Sequence, residues 1–316
     1  MKKKKILITG SSGFTAGHFM DYLGISGISD DRIFAADRKS GLCGMRKRHF
    51  IKVDLLDKGQ VSRMLKKIKP DLIFHFAGLN FSRDYDGLLR GNLFTTNNLL
   101  DAVVRNGLEP RILVIGSAAE YGIAGNSKKP IRETEPLAPI TPYGVSKAAQ
   151  TMLALQYCSS SGLYIVAART FNLIGPGQTS ALVCGSIVGQ MKAICTGKAK
   201  TDNKLMIGNT HTKRDFVDVR DAVRAYWQLL ACKQNISGQV FNVGSGQSHS
   251  IRDVIEILFK YCGRKIPLEQ RTNKVRRNDL SAQVADLTRI KAAIGWKSEV
   301  TIKRSLIDMY ESMTSG

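Results

Sequence analysis

The first seventeen residues constrain the fold most. Residues 4–9 read KKILIT, a short apolar and β-branched run of the kind that forms a buried strand. The run passes straight into Thr9-Gly10-Ser11-Ser12-Gly13-Phe14-Thr15-Ala16-Gly17 and then into a helical pattern reaching about Leu23. A strand, a Gly-rich turn and a helix start in direct succession make an anion site. Glycines let the backbone approach a diphosphate, and the free N–H groups and helix dipole favour its charge. Ala16 takes the last place of a G-x-x-G-x-x-G spacing, where helix–strand packing needs only a small residue.

Strands and helices then alternate. A strand at residues 32–36 (RIFAA) ends in Asp37-Arg38-Lys39. An acidic residue at this distance from the turn can bind the adenosine ribose hydroxyls, which favours NAD(H), whereas Arg38 and Lys39 suit the 2′-phosphate of NADP(H). A strand at 50–53 ends in Asp54-Leu55, placed to meet the adenine edge, and a helix near 58–68 follows. The strand at 71–76 (DLIFHF) runs into Ala77-Gly78, where small residues after Phe76 let the backbone pass the cofactor; His75 on this apolar strand reads as a core residue. A long helical pattern over 86–106 contains Asn92, and a strand at 111–116 delivers Ser117. A hydroxyl at the carboxyl end of a central strand stands where open α/β sheets bind ligands, so Ser117 is a candidate partner for a reacting oxygen. Residues 125–142 read as a loop, 143–161 as a helix, and 163–169 as a strand ending at the Gly/Pro cluster 175–178. Five such alternations predict an α/β chain with a Rossmann-type, doubly wound parallel sheet and right-handed crossovers.

Beyond residue 178 the pattern is less regular. Helices are expected near 182–197, 219–232, 251–262, 286–294 and 302–312, with short strands at 204–207 and 239–243. The division expected is a nucleotide-binding domain over 1–178, with some return segments from the C-terminal half, and a smaller α/β substrate domain over 179–316.

Within this frame Tyr143-Gly144-Val145-Ser146-Lys147 places a phenol and an ammonium four residues apart, on one face of a helix. A cation beside a phenol lowers its pKa from about 10 and equips it to exchange a proton with a sugar hydroxyl or ketone. A surface Tyr/Lys pair would have the same spacing, and the position behind Ser117 and the Gly-rich turn gives this one its chemical reading. Tyr157 and Tyr164 have no such partner and read as structural. Asp218 reads as a cap for the helix that begins at Val219.

The chain carries 47 Lys plus Arg against 26 Asp plus Glu, a formal +21. Such a field attracts anions. The basic residues are spread out and match no zinc-finger, RNP or basic-zipper pattern, so an anionic small substrate is favoured over nucleic acid. The six cysteines form no Cys-x-x-Cys pair, which fits a reducing cytoplasm and argues against a zinc site or disulfide framework. The N-terminal apolar run, residues 6–8, is too short for a secretion signal. No apolar stretch approaches the roughly 20 residues of a membrane span.

TGSSGFTAG, Asp37, Asp54-Leu55, HFAG, Asn92, Ser117 and YGVSK follow one another in an order and spacing that resemble the extended short-chain dehydrogenase/reductases, the nucleotide-sugar epimerases, dehydratases and reductases. The resemblance covers essentially the whole chain. It implies NAD(P) bound across residues 10–172 by Gly10, Ser12, Gly13, Phe14, Thr15, Asp37, Arg38, Asp54, Leu55, Phe76, Ala77, Gly78, Asn92, Tyr143 and Lys147. It implies Ser117, Tyr143 and Lys147 as the catalytic set, and a nucleoside-diphosphate sugar held by Ser117, Asn172, Arg214 and Arg276. Arg277 stands where the family often has Pro. Relatives also pack the helices at 86–106 and 143–161 into a homodimer. Related 4,6-dehydratases carry a Glu base two residues before the Tyr of the segment occupied here by Tyr121; this chain has Ala119 there and Glu120 one place on, which argues against dehydration. IGSAAEYG, RTFNLIGPGQ, RDFVDVRD and FNVGSG look most like the GDP-4-keto-6-deoxymannose reductases, with a nucleoside-diphosphate-sugar 4-epimerase as the runner-up. A different class would be a non-catalytic dinucleotide-binding protein with a basic interaction surface.

Overall fold

The structure, a computed structural model, describes residues 4–39, 49–82, 84–123, 129–199, 203–270 and 282–313. Seven parallel strands form its central sheet: β1 (Ile6–Thr9), β2 (Ile33–Asp37), β3 (Phe50–Lys52), β4 (Leu72–His75), β5 (Arg111–Ser117), β6 (Tyr164–Thr170) and, later in the chain, β11 (Val240–Val243). Their order is β11-β6-β5-β4-β1-β2-β3. The order reverses between β1 and β4, where the chain leaves one half of the sheet and begins the other. The residues after β1 and β4 therefore border the crevice in which open parallel sheets bind ligands. β1 and β4 are buried along their whole length, as strands covered on both faces must be.

Helices α1 (Phe14–Ile25), α2 (Lys58–Ile68), α4 (Thr95–Arg105) and α5 (Pro142–Ser161) supply the crossovers, and α7 (Val219–Ala231) joins α1 on one face. That face is a core of Phe19, Leu23, Phe74, Val219, Tyr226 and Trp296, among others. The opposite face packs α2 and α4 against the sheet through Val61, Leu65, Leu99 and Val103. Thus β11, α7 and α9 (Thr288–Ile294) build on the large sheet although they lie past residue 178. The return segments are extensive.

The smaller lobe has its own core. It gathers α6 (Val183–Cys195), β8 (Leu205–Ile207), α8 (Ile251–Cys262), β13 (Leu268–Gln270) and α10 (Ile302–Ser312) around Ile187, Met191, Val254, Leu258 and Leu306. Among the described residues there are also three two-stranded pairings: β7 (Asn172–Ile174) with β10 (Phe216–Asp218), β9 (Lys213–Arg214) with β12 (His249–Ser250), and β13 with β8. Asp218 does cap α7, accepting from Arg220 N at 2.8 Å. No helix among the described residues is long and apolar enough to cross a membrane.

One expected helix is interrupted. Residues 86–106 form a short α3 (Tyr85–Leu88), a π-helical stretch over Leu89–Phe94, and then α4. Thr95 and Thr96 hydroxyls donate to the carbonyls of Gly91 and Asn92 at 2.7 and 2.6 Å and compete for the groups that an α-helix would use. The wider turn carries Asn92, whose amide accepts from Leu79 N at 2.7 Å and donates to Leu79 O at 2.9 Å and Ser146 Oγ at 2.8 Å. Asn92 thereby ties the loop after β4 to α5.

Candidate active site

The Gly-rich turn is pressed against the end of β4. Gly10 has φ +68, and a Cβ there would lie 2.5 Å from Ala77 N, so only glycine fits. Asp57, Thr141, Asp218, Ser250 and Thr301 each cap their helix with a side-chain oxygen, whereas α1 starts at Gly13 with no side-chain cap, as α6 and α9 also do at Leu182 and Leu287. The first-turn N–H groups of α1, beside Phe14 and Thr15, are left without a side-chain acceptor, as a diphosphate cradle requires.

Asp37 closes the far side of this cradle. Its carboxylate accepts from Ser12 N at 2.9 Å and Ser12 Oγ at 2.7 Å, and from the N–H groups of Arg38 and Lys39. Burial pushes the Asp37 carboxyl up, but these hydrogen bonds outweigh it and hold it below the usual carboxylate range. Arg38 and Lys39 are exposed beside it. Asp54 accepts from Leu56 N at 3.0 Å, and Leu55 is buried under Asn98, which donates to its carbonyl. A Cβ on Gly78 would lie 2.7 Å from Asn92 Oδ1. Phe76 packs at a tilt against Phe19 and Tyr226. The Asn92 side chain, by contrast, spends its hydrogen bonds within the protein.

Ser117 is the last residue of β5, and α5 begins across from it. Thr141 caps α5 through Gly144 N at 3.0 Å and Pro142 occupies its first turn, where a missing N–H costs nothing. A Cβ on Gly144 would lie 2.5 Å from Ala119 O, so the helix start and the turn after β5 are in contact. This close approach sets Tyr143 near Ser117, whose hydroxyl pulls the phenol's pKa down. Lys147, 6 % exposed, follows one turn later on the same face.

The electrostatics differ from the expectation that Lys147 lowers the Tyr143 pKa. Burial raises the Tyr143 pKa, the Ser117 hydrogen bond lowers it, Glu120 raises it, and the net direction is up. The Lys147 ammonium itself donates to Gln150 Oε1. Burial pulls the Lys147 amine down to about 8 against the opposing pull of Glu120.

Glu120 is wholly buried and accepts from Ser117 N at 2.8 Å, Thr151 Oγ1 at 3.0 Å and Arg169 Nε at 2.7 Å. The one-residue shift from Ala119 thus turns this carboxylate into the protein, onto β6. Nothing in the sequence around it announced the Glu120–Arg169 pair, which spans 49 residues; a charged residue inside the apolar strand at 164–170 was the available signal.

On the other side of the crevice Asn172 opens β7 and donates to Asp215 O at 3.1 Å. Arg214 lies half-buried on β9, with Nη1 donating to Lys213 O at 2.8 Å. Arg276 and Arg277 lie outside the described residues. Among the described residues no group of three or more His, Cys, Asp or Glu could hold a metal ion.

A parallel sheet with an uncapped Gly-rich helix start and a Ser/Tyr/Lys cluster at the end of β5 defines an extended short-chain dehydrogenase/reductase. The family model described as GDP-mannose 4,6 dehydratase matches residues 7–309, and the chain belongs to that family. The chain is 33% identical over 307 residues to a GDP-6-deoxy-D-mannose reductase of Pseudomonas aeruginosa, an alignment covering 96% of this chain and 95% of the relative. Its fold is similar to that of RMD from Pseudomonas aeruginosa complexed with NADPH, with a TM-score of 0.82, 30% identity and coverage of 98% and 99% of the two chains. It is also similar to the UDP-glucose 4-epimerase of Thermus thermophilus in complex with NAD, with a TM-score of 0.83, 25% identity and 98% of each chain covered.

Proposed function

We propose that the chain reduces the 4-keto group of a nucleoside-diphosphate-4-keto-6-deoxyhexose, GDP-linked, with NAD(H) or NADP(H). The observation that carries the reading is the close approach of the start of α5 to the turn after β5, which brings Tyr143 to Ser117 at the carboxyl end of β5 with Lys147 one turn behind. The similarity to a GDP-6-deoxy-D-mannose reductase over nearly the full chain supports the substrate class.

A nicotinamide cofactor supplies the hydride when bound; Gly10, Ser12, Gly13 and the N–H groups of Phe14 and Thr15 would hold its diphosphate, and Asp37 its ribose. Tyr143 gives its phenolic proton to the oxygen at carbon 4. A donor must be protonated at working pH, and burial keeps this phenol so. Ser117 hydrogen-bonds the same oxygen and shields the phenolate that remains, while the Lys147 ammonium offers positive charge from below. Asn172, Arg214 and Arg276 would orient the nucleotide and sugar, and a guanidinium fork suits a diphosphate. Dehydration needs a carboxylate base where this chain has Ala119, and Glu120 is committed to Arg169.

Two further readings go with this one. The exposed Val145 and Met152, seven residues apart on α5, and Phe94 and Val104 on the neighbouring helix support a homodimer through these helices. The reducing-compartment cysteine pattern supports a cytoplasmic enzyme. The main reading is tested by adding a GDP-4-keto-6-deoxyhexose to enzyme and reduced cofactor. Loss of reduced-nicotinamide absorbance is expected. Interconversion of UDP- or GDP-hexoses with cofactor retained, and no loss of absorbance, would favour the 4-epimerase instead.

A further inference from the structure

Lys147 is a nearly buried cation whose ammonium rests on a neutral group, the Gln150 side-chain carbonyl. Long helical side chains lean toward the N-terminus, so Gln150 reaches back one turn along α5 to meet it. The amide could present either end, but an ammonium only donates, so Oε1 must face Lys147. That leaves Nε2 to donate to Thr96 Oγ1 at 2.8 Å. Thr96 gives its single proton to Asn92 O at 2.6 Å. Its remaining lone pairs take Gln150 Nε2 and His75 Nε2, the latter at 2.9 Å. His75 therefore carries its proton on Nε2, and its Nδ1 accepts from the Thr9 hydroxyl at 2.7 Å. Counting hydrogens fixes both the tautomer and the amide orientation. Thr9, His75, Thr96 and Gln150 are all buried, and Thr9 is the residue before the Gly-rich turn.

We propose that Gln150 is a positioning residue for Lys147, its carbonyl locked toward the ammonium by the Thr9–His75–Thr96 chain, so that the lysine charge is held in place without being neutralised. This rests on the reading above in which Lys147 serves the reaction. A carboxylate at Gln150 would cancel the charge that the Tyr143 phenolate needs during proton transfer. The other groups around Lys147 agree with that role. Glu120, from the turn after β5, is taken up by Arg169 of β6; His75 of β4 is kept neutral by burial and by Lys147 itself, down to about 3; Tyr143 lies on α5.

Two readouts on Gln150→Glu and on the pair Thr96→Val and Thr96→Ser test the proposal. Trace acylation of Lys147 with acetic anhydride, followed by peptide mass spectrometry over a range of pH, reports the amine directly and without substrate. The pH profile of keto-sugar reduction reports its consequence. Wild type should titrate near 8 in both. In Gln150→Glu the midpoint should rise by about one unit or more, as an adjacent carboxylate dictates, while maximal turnover falls. Thr96→Val should shift the midpoint and Thr96→Ser should restore it, which keeps the test decisive if Gln150→Glu does not fold. Folded variants with unchanged acylation midpoints would overturn the proposal. A shifted acylation midpoint in an enzyme that reduces no keto sugar would leave the positioning role standing and remove the proposed reaction instead.

Discussion

Two cations lie buried at the carboxyl end of the sheet, and the protein treats them oppositely. Arg169 on β6 meets a carboxylate, Glu120, at 2.7 Å. Burial alone would lower its pKa, but Glu120 and Tyr121 beside it outweigh burial and raise it. Lys147 on α5 meets an amide, and burial brings it down to about 8. The first arrangement is a clamp: Glu120 also takes Ser117 N and Thr151 Oγ1, so it joins β5, β6 and α5. The second keeps a charge available. A fully compensated cation can hold strands together, and an uncompensated one can respond to charge that develops beside it. Their shared surroundings explain why Glu120 cannot serve as a free base although it lies one residue from the place where one would sit.

The largest effect is expected on the clamp. Glu120→Ala leaves the buried Arg169 without its carboxylate and with only the longer contacts to Tyr121 Oη and Glu133 O, which should cost roughly 3–5 kcal/mol of stability. Denaturant unfolding measures it, and a loss under about 1 kcal/mol would mean that Arg169 finds water or another partner. Acid probes the neutral side. The folded pKa of His75 is about 3 against 6.5 for the free side chain. Below 6.5 the unfolded chain binds a proton that the folded one refuses, so stability should fall progressively as the pH drops from 6.5 toward 3. Each pH unit of that interval corresponds to about 1.4 kcal/mol; a His75→Gln variant with the same acid limb would assign the effect elsewhere.

Tyr143→Phe comes next. It should lower turnover roughly 100-fold or more, about 2.7 kcal/mol in the barrier, with cofactor affinity and melting temperature little changed. Near-normal turnover would remove the phenol from the reaction and leave Lys147 with no charge to answer. The smallest effect is at Asp37, where Asp37→Asn should shift preference from NAD(H) toward NADP(H) by about tenfold in relative Kd. The scale is that of relieving one carboxylate–phosphate repulsion near the surface. Titration of both cofactors measures it, and an unchanged ratio would place discrimination on Arg38 and Lys39.

Much of this was legible in the sequence because it is local. The strand over Ile6–Thr9, the turn at Gly10–Gly13 and the helices Lys58–Ile68, Ile251–Cys262 and Ile302–Ser312 stand where hydrophobic period and turn residues put them. His75 read as core and is core. The π-helical turn at Leu89–Phe94 was not legible, since hydrophobic spacing does not record which carbonyl a threonine will capture. Glu120–Arg169 and Thr9–His75–Thr96–Gln150 were also hidden. Each joins residues that only the finished sheet brings together, and Gln150 looks in sequence like any polar residue of a helix. The burial that raises the Tyr143 pKa was hidden for the same reason: the spacing of four puts Tyr143 and Lys147 on one face but does not say how deeply the phenol lies or which way the ammonium turns.

The proposal turns on a hydride from exchangeable cofactor reaching carbon 4 while Tyr143 gives its proton to the oxygen on that carbon. The most direct measurement uses reduced cofactor carrying deuterium at the transferable position, a GDP-4-keto-6-deoxyhexose and the wild-type chain, with mass and NMR analysis of the product sugar. One deuterium is expected at carbon 4 of the product, and about a hundredth as much labelled product or less over the same time when Tyr143→Phe replaces the wild type. A product sugar formed at normal rate without deuterium, from cofactor that never leaves the protein, would contradict it.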